Sequence, residues 1–470
     1  MASKFSRISK LFGAQDMTVG KPLHNLAAFS IPLLIGNIAQ QLYNTVDAYV
    51  VGNYTGALGD NALGAVNTSG PILNLMLLLF MGISTGAGIL VAQYFGAHRE
   101  EDMNKAIGTC LTLTFFASVV VMIVGPIITP PLLTLLDTPV ELYDMAVQYL
   151  TIIFLGIIGT GYYNIVSGIL RGMGDSFYPL LFLVVACLLN IVLDIVFVKN
   201  LGMTTDGVAL ATVIAQGVSA VLCLIRLKTM RDQVKITRKT LVPDKEMCKS
   251  VVKLGLPSGM TQAIFSMAAI IVQNLTNSFG PGFVTCSGII MRVDGFAMMP
   301  NFTFGMAMTT YVGQNIGARQ MKRVEEGVKV GMQAGLAISV VLVSAILIFG
   351  EGLMRIFTQT EYIVNTGVRM MRILAVGYVA MAVTQSLSGV MRGAGDTMPP
   401  MWISLITTVI VRVPIAYLWA HLTKTPELPD GSPDSIYASL LISWVLGAVL
   451  SIIVYRMGRW REKGMLVGKA

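Results

Sequence analysis

Charge is what this chain has least of. Asp, Glu, Lys and Arg make up 12% of its 470 residues, about half of the roughly 25% usual in a soluble domain. Three histidines and five cysteines form no His/Cys cluster of the kind that holds a transition metal. No HExxH motif occurs, so a zinc hydrolase finds no footing. Cys110, Cys187, Cys223, Cys248 and Cys286 lie in or beside apolar stretches rather than in outer loops, which argues against a disulfide framework. Segments of strict apolar/polar alternation, as in a membrane barrel, are also missing.

What fills the space is apolar. Hydrophobic residues make up 54% of the chain and the mean hydropathy is +0.71. Residues 72–91, 111–127 and 179–198 are near-continuous apolar runs of the roughly 17 to 25 residues that a helix needs to cross a bilayer. Helices are the remaining spanning form that satisfies its own backbone in lipid. The expected fold is an all-α integral membrane protein of twelve transmembrane helices.

The net charge of +8 does not indicate a nucleic-acid partner, because the basic residues sit between the apolar runs. They crowd into "MASKFSRISK", "AHREEDMNK", the segment from Arg226 to Lys253, "ARQMKR" and "RMGRWREK". Alternate loops hold few: Lys199, Arg355, Arg369, Arg372 and Lys424. The positive-inside rule then places both termini in the cytoplasm and makes the span count even. Residues 1–24 lack the apolar run and cleavage site of a signal peptide. Phe5, Ile8, Leu11 and Phe12 recur there at helical spacing, which fits a short surface-lying helix as well as a disordered tail.

Two phrases recur in order. "LRGMGDSFYPLL" begins at Leu170 and "MRGAGDTMPPMW" at Met391, an offset of 221, and "VAQYFGAHR" from Val91 matches "VGQNIGARQ" from Val312 at the same offset. Pro32 stands opposite Pro257 in a looser third match. The chain therefore reads as a cytoplasmic segment (1–24), a six-helix bundle (25–226), a charged linker (227–251), a second six-helix bundle (252–456) and a tail (457–470). With six spans each, the two pseudo-symmetric bundles enter the membrane in the same orientation, as parallel repeats do. The phrase itself reads as a turn: Arg171 or Arg392 closes a helix, Gly172 with Gly174 and Gly393 with Gly395 permit positive φ, and Asp175 or Asp396 caps the next helix.

Few ionisable residues remain well inside the spans: Asp47, Asp194, Asp294, Arg292 and Arg412. Each costs about 2.5–3.5 kcal/mol at a helix centre on insertion scales, so each is a functional candidate. Tyr43 precedes Asp47 by one turn on the same face. Asn190 precedes Asp194 likewise, about 6 Å away along the axis, and Thr212 on the following antiparallel helix is a third oxygen. Carboxylate, amide and hydroxyl together suit Na+ or a shared proton. The repeat provides a control: at the 221 offset Asn190 falls on Val411 and Asp194 on Ile415, while Asp47 falls near Val272. A group needed for the fold should recur; these do not. Asp294, Arg292 and Arg412, with Met291 and Met298 out of 29 methionines, are candidates for a repacking substrate cavity. Pro32 removes a backbone hydrogen bond four turns before Asp47 and is a candidate bend.

With its twin RGxGD turns, "VDAYVVG" stretch and two groups of six spans, the sequence resembles the multidrug and toxic compound extrusion (MATE) transporters over essentially its whole length. Asp47, Tyr43, Asn164, Asn190, Asp194 and Thr212 match the polar cation-coupling cluster of one prokaryotic branch, and Pro32 its bending proline. The resemblance implies an antiporter, not an enzyme, that exports amphipathic, often cationic organic compounds against H+ or Na+. It would need no cofactor and would act as a monomer in the bacterial inner membrane. Other MATE proteins carry acids in the seventh and tenth spans, where this chain has Phe265 or Ser266 and about Met381, so mechanisms that use those acids do not carry over. The nearest rival, a lipid-linked oligosaccharide flippase of the same superfamily, calls for a strongly basic cavity, and only Arg292 and Arg412 lie deep.

Overall fold

The computed structural model describes residues 15–54, 59–136, 138–230 and 233–464; the side chains of residues 42–45, 47–49, 51–54, 59, 60, 463 and 464 also lie outside the described set. The surface-lying helix expected from Phe5, Ile8, Leu11 and Phe12 falls outside it as well. The described chain is helical almost throughout: α1 Pro22–Tyr54, α2 Gly59–Gly96, α3 Glu100–Leu135, α4 Val140–Leu155, α5 Ile157–Gly172, α6 Phe177–Asp194, α7 Thr205–Thr229, α8 Lys245–Ser278, α9 Pro281–Gly317, α10 Met321–Arg355, α11 Glu361–Gly393, α12 Met398–Leu422, α13 Asp434–Arg456 and α14 Arg459–Gly464. Eleven are long and apolar enough to cross a membrane, and α4 with α5 forms one further span bent by 52°. That gives the twelve spans expected.

The bend has a packing cause. A Cβ on Gly156, between α4 and α5, would lie 2.2 Å from the Val213 side chain, and one on Gly159 would lie 2.8 Å from the Gly217 nitrogen. The helix kinks where it is drawn onto α7. Small residues allow such approach between membrane helices, where packing rather than hydrophobic burial drives association.

Two compact units result. Unit 1 comprises Ile31–Gly259 with Gln15 and Asp16; unit 2 comprises Met17–Ser30 and the chain from Met260 onward. The start of α1 thus belongs to unit 2 and the start of α8 to unit 1. Pro32 and Pro257 lie within three residues of these divisions, and both helices run on through their prolines. In unit 1 the linker is fastened to α3: Asn104 Oδ1 accepts from Lys235 N at 2.7 Å and Thr112 Oγ1 donates to Leu241 O at 2.7 Å. In unit 2, Arg323 Nη2 donates to the carbonyls of Met17 and Val19 at 3.2 and 2.8 Å.

The repeated phrases fold alike. Gly174 and Gly395 have φ of +85° and +84°, and the left-handed turn recurs with non-glycine residues at His98 and Arg319. Asp175 N bonds to Leu170 O at 2.9 Å and Asp396 N to Met391 O at 2.8 Å. Gly172 and Gly393 differ from the expectation, for they are helical. Their role is close approach: a Cβ would lie 2.6 Å from Gly88 O in one copy and 2.4 Å from Thr309 O in the other.

Candidate functional site

In unit 1, α6 ends at Asp194 and passes into a π-helical turn, Ile195–Asn200. Such wide turns cost hydrogen-bond geometry and cluster at functional sites. Asn190 and Asp194 are both completely buried. The Asn190 Nδ2 donates to Thr212 Oγ1 on α7 at 3.4 Å, which joins the two helices. Asn164, on α5, donates its Nδ2 to Thr160 O in its own helix at 2.8 Å, and its carbonyl accepts from Ser84 Oγ at 2.7 Å. Tyr163, its neighbour, packs on Leu183 and Cys187 of α6. The side chains of Tyr43 and Asp47 lie outside the described residues.

Ser84 also belongs to "GISTG" (82–86), which matches the GxSxG of a nucleophile elbow. The match is incidental. An elbow needs a strained strand-to-helix turn, whereas these residues lie mid-helix in α2, and a Cβ on Gly86 would come within 2.4 Å of Val251 O.

A second cluster forms inside unit 2. The Tyr378 hydroxyl, on α11, donates to Asp294 Oδ1 on α9. Tyr378 is itself held by its carbonyl, which accepts from Asn301 Nδ2 at 3.2 Å and Ser339 Oγ at 3.0 Å. Arg412 on α12 is within electrostatic reach of Asp294, and its Nε is buried with no acceptor among the described residues. It ends a second π-helical run, Leu405–Arg412. Nearby, Tyr437 on α13 donates to Ser287 Oγ at 2.9 Å.

Asp294 and Arg412 therefore come together, and Met298 is buried in the apolar core shared with Tyr378 and Tyr437. Arg292 and Met291 do not join them. Both are exposed, Met291 by 63%; for Arg292 the reason is spacing, since residues two apart on a helix do not face one another. The sequence reading missed Tyr378 and Tyr437. Hydroxyls cost little in a span, so neither residue stood out against an apolar background.

A third polar site joins the RGxGD turn to α7. Asp175, completely buried, caps α6 by accepting from Tyr178 N at 3.2 Å. Its Oδ2 accepts from Arg226 Nε and Nη2 at 3.0 and 2.9 Å. The guanidinium lies 3.8 Å from the centre of the Tyr178 ring. Burial raises the Asp175 carboxyl above its ordinary pKa, against the opposing pull of Arg226.

Comparison with known proteins places these features in a family. Residues 32–196 and 257–418 match the profile of the family described as MatE. "Probable multidrug resistance protein YoeA" of Bacillus subtilis (strain 168) is 29% identical over 427 residues, covering 89% of this chain and 92% of the relative. "Probable multidrug resistance protein NorM" of Thermotoga maritima is 24% identical, with 94% of each chain covered. Among solved structures, the chain is similar to an "outward-facing conformation of a multidrug resistance MATE family transporter of the MOP superfamily". The TM-score is 0.87 and the identity 25%, over 96% of this chain and 98% of the other. Both matched segments begin at the paired prolines.

Proposed function

Because this chain belongs to the MatE family, we propose that it is a cation-coupled multidrug efflux antiporter. It exports amphipathic, often cationic organic compounds in exchange for inward H+ or Na+, by alternating access of its two halves (25–226 and 252–456). It works as a monomer in the bacterial plasma membrane, with both termini in the cytoplasm. The observation that carries the reading is the completely buried pair Asn190 and Asp194 in unit 1, with Thr212 bonded to Asn190, where the other half has Val411 and Ile415. The names of the relatives support the drug cargo.

The chemistry follows from charge. A carboxylate in a low-dielectric span demands a counter-charge. An inward cation at Asp194, assisted by the Asn190 and Thr212 oxygens, satisfies it; a cationic drug satisfies it equally well. If the two exclude one another, the downhill ion drives the drug uphill. With one proton per monovalent drug, each unit of pH difference is worth about 1.36 kcal/mol, or roughly a tenfold drug gradient. Asp47, Tyr43 and Asn164 extend the group, and Pro32 is its bend.

The test is dye efflux from proteoliposomes with pH and Na+ gradients imposed separately. Asp194→Asn should abolish gradient-driven efflux while the purified protein stays monodisperse. Undiminished gradient-dependent efflux by that variant would remove Asp194 from the coupling site.

A further inference from the structure

The two halves cover one matched face differently. In unit 1 the charged linker lies along α3. Val234, 4% exposed, packs with Ile107, Leu111, Val166 and Leu227, and Met230 joins them. Gly108 permits the approach, since a Cβ there would lie 1.9 Å from Thr240 O. At the 221 offset Ile107, Leu111 and Val166 become Val328, Met332 and Leu387, while Gly108 becomes Lys329. The helices α7 and α13 align at an offset of 228, with Asp206, Ala220, Val221, Leu222 and Ile225 matching Asp434, Ala448, Val449, Leu450 and Ile453. On that alignment Leu227 becomes Tyr455 and Lys228 becomes Arg456.

In unit 2 that face is an open groove of about 420 Å³ between α10 and α13, floored by Val383 and Leu387 of α11, a volume in the range of small-molecule sites. A lysine in place of Gly108 closes the path that the linker backbone takes in unit 1. Two cations stand at one end of the groove, Lys329 on α10 and Arg456, the last residue of α13. Both are exposed, and among the described residues neither forms an ion pair. The acid in the lining, Glu325, is held by Arg461 at 2.8 Å. The wall is fixed at that end, because the Tyr455 and Trp460 rings stack at 5.3 Å and Trp460 Nε1 donates to Tyr455 O at 3.0 Å. Beyond the cations the lining turns apolar, with Met332 and Leu336 on α10 and Ile452 on α13.

From this layout we propose that the α10–α13 groove of unit 2 holds an anionic phospholipid by its phosphate. The phosphodiester meets the guanidinium of Arg456 in the charge-assisted pairing that arginine favours, and Lys329 as a point charge. An acyl chain lies along Met332, Leu336 and Leu387, in the place that Met230 and Val234 of the linker take in unit 1. Basic pockets between membrane helices are a recurring setting for such headgroups. A choline headgroup brings its own cation to a groove that already has two without an ion-pair partner. A glycerol headgroup brings none and leaves the phosphate charge for Lys329 and Arg456.

The experiment is native mass spectrometry of the purified full chain titrated with dioleoyl phosphatidylglycerol and dioleoyl phosphatidylcholine, with and without inorganic phosphate. Phosphatidylglycerol should be retained at about thirtyfold lower concentration than phosphatidylcholine, roughly fivefold for each basic residue near an anionic headgroup. Lys329→Gln with Arg456→Gln should abolish the preference. Each single change should remove about fivefold of it and decides the matter if the double variant is not monodisperse. Lys228→Gln with Lys239→Gln, the same loss of charge from exposed positions in unit 1, should leave it intact. Equal retention of the two lipids by the unaltered protein would overturn the proposal, as would a preference that survives in the groove variants or is lost equally in the unit 1 pair. Displacement of phosphatidylglycerol by inorganic phosphate would show a site for phosphate without the lipid. A dimer that dissociates in the groove variant would show a second copy of the chain in its place; either result also overturns it.

Discussion

Replacing Arg226 by methionine isolates the contribution of its ion pair with Asp175. Methionine keeps much of the aliphatic stem and removes the charge, leaving the Asp175 side chain, 0% exposed, without the arginine that is itself 21% exposed. Breaking a buried ion pair from one side costs about 3–5 kcal/mol, because the remaining charge stays desolvated. Partial exposure of the arginine places the expectation at the lower end, about 3 kcal/mol. For a unit of this size that lowers the melting midpoint by roughly 6–12 °C. A thiol-reactive fluorophore reads the transition, since Cys110, Cys187, Cys223 and Cys286 are buried and react on unfolding. The pH dependence fixes the cause. Asp175 has a raised pKa in the folded state, so the native protein holds more protons than the unfolded chain around that titration, and stability falls as pH rises through it. Without Arg226 the folded pKa climbs further and the window moves up. The deficit of Arg226→Met should therefore shrink as pH is lowered and the carboxyl becomes neutral. Asp175→Asn in the same chain should recover part of the loss at neutral pH. A variant that melts within a degree or two of the parent, or whose deficit does not change with pH, would refute the argument.

Two further outcomes follow from the packing and from the second cluster. Gly86→Leu should prevent recovery of monodisperse protein, because even a Cβ at that position would sit 2.4 Å from Val251 O and 2.9 Å from Gly255 N; size-exclusion chromatography checks this, with Gly70→Ala, where a Cβ meets nothing within 4 Å, as the tolerated control. Tyr378→Phe removes the hydroxyl that donates to Asp294, and should change the half-saturating concentration for transported dyes by about tenfold, the cost of a hydrogen bond to a charged group, with H+ or Na+ dependence intact. Loss of ion dependence in that variant would move the coupling site into unit 2.

The spans, their number and their duplication were legible because they depend on long averages: apolar runs, basic loops and a repeated phrase. The bend at Gly156 was not, since it depends on the approach of Val213 from a helix more than fifty residues later. The burial of Asn190 and Asp194 in one helix was legible because a polar group in a span is conspicuous and helical spacing fixes its face. Arg292 shows the limit of that reasoning: its cost in a span is real, but depth read from sequence does not say which way a side chain turns. The π-helical runs at Ile195–Asn200 and Leu405–Arg412 carry no local signal, for their residues differ little from ordinary helix formers. Gly172 and Gly393 were assigned to turns on residue type, when their neighbours in space determine their role.

Duplication means that one set of backbone constraints is met by two sets of side chains, so positions where the halves agree and disagree separate fold from chemistry. Agreement falls where geometry tolerates nothing else. Gly168 lies 2.7 Å by its missing Cβ from Ser84 O, and Gly389, its counterpart, lies 2.3 Å from Gly305 O, the counterpart of that serine. Disagreement falls in complementary places. Where unit 1 has Asn190 and Asp194, unit 2 has Val411 and Ile415; where unit 2 has Asp294 and Arg412, unit 1 has Leu73 and Ile191. An intramembrane carboxylate costs several kcal/mol wherever it stands, so a fold that does without it at the matched position shows that the helices do not require it. The two halves also differ in kind: unit 2 sets an arginine near its acid, whereas the position matched to that arginine in unit 1 is an isoleucine. A carboxylate within electrostatic reach of a guanidinium is already partly compensated, so an arriving cation gains less at Asp294 than it would without Arg412. The repeat thus places different charged groups in equivalent spans, and the proposed coupling site lies in the first half.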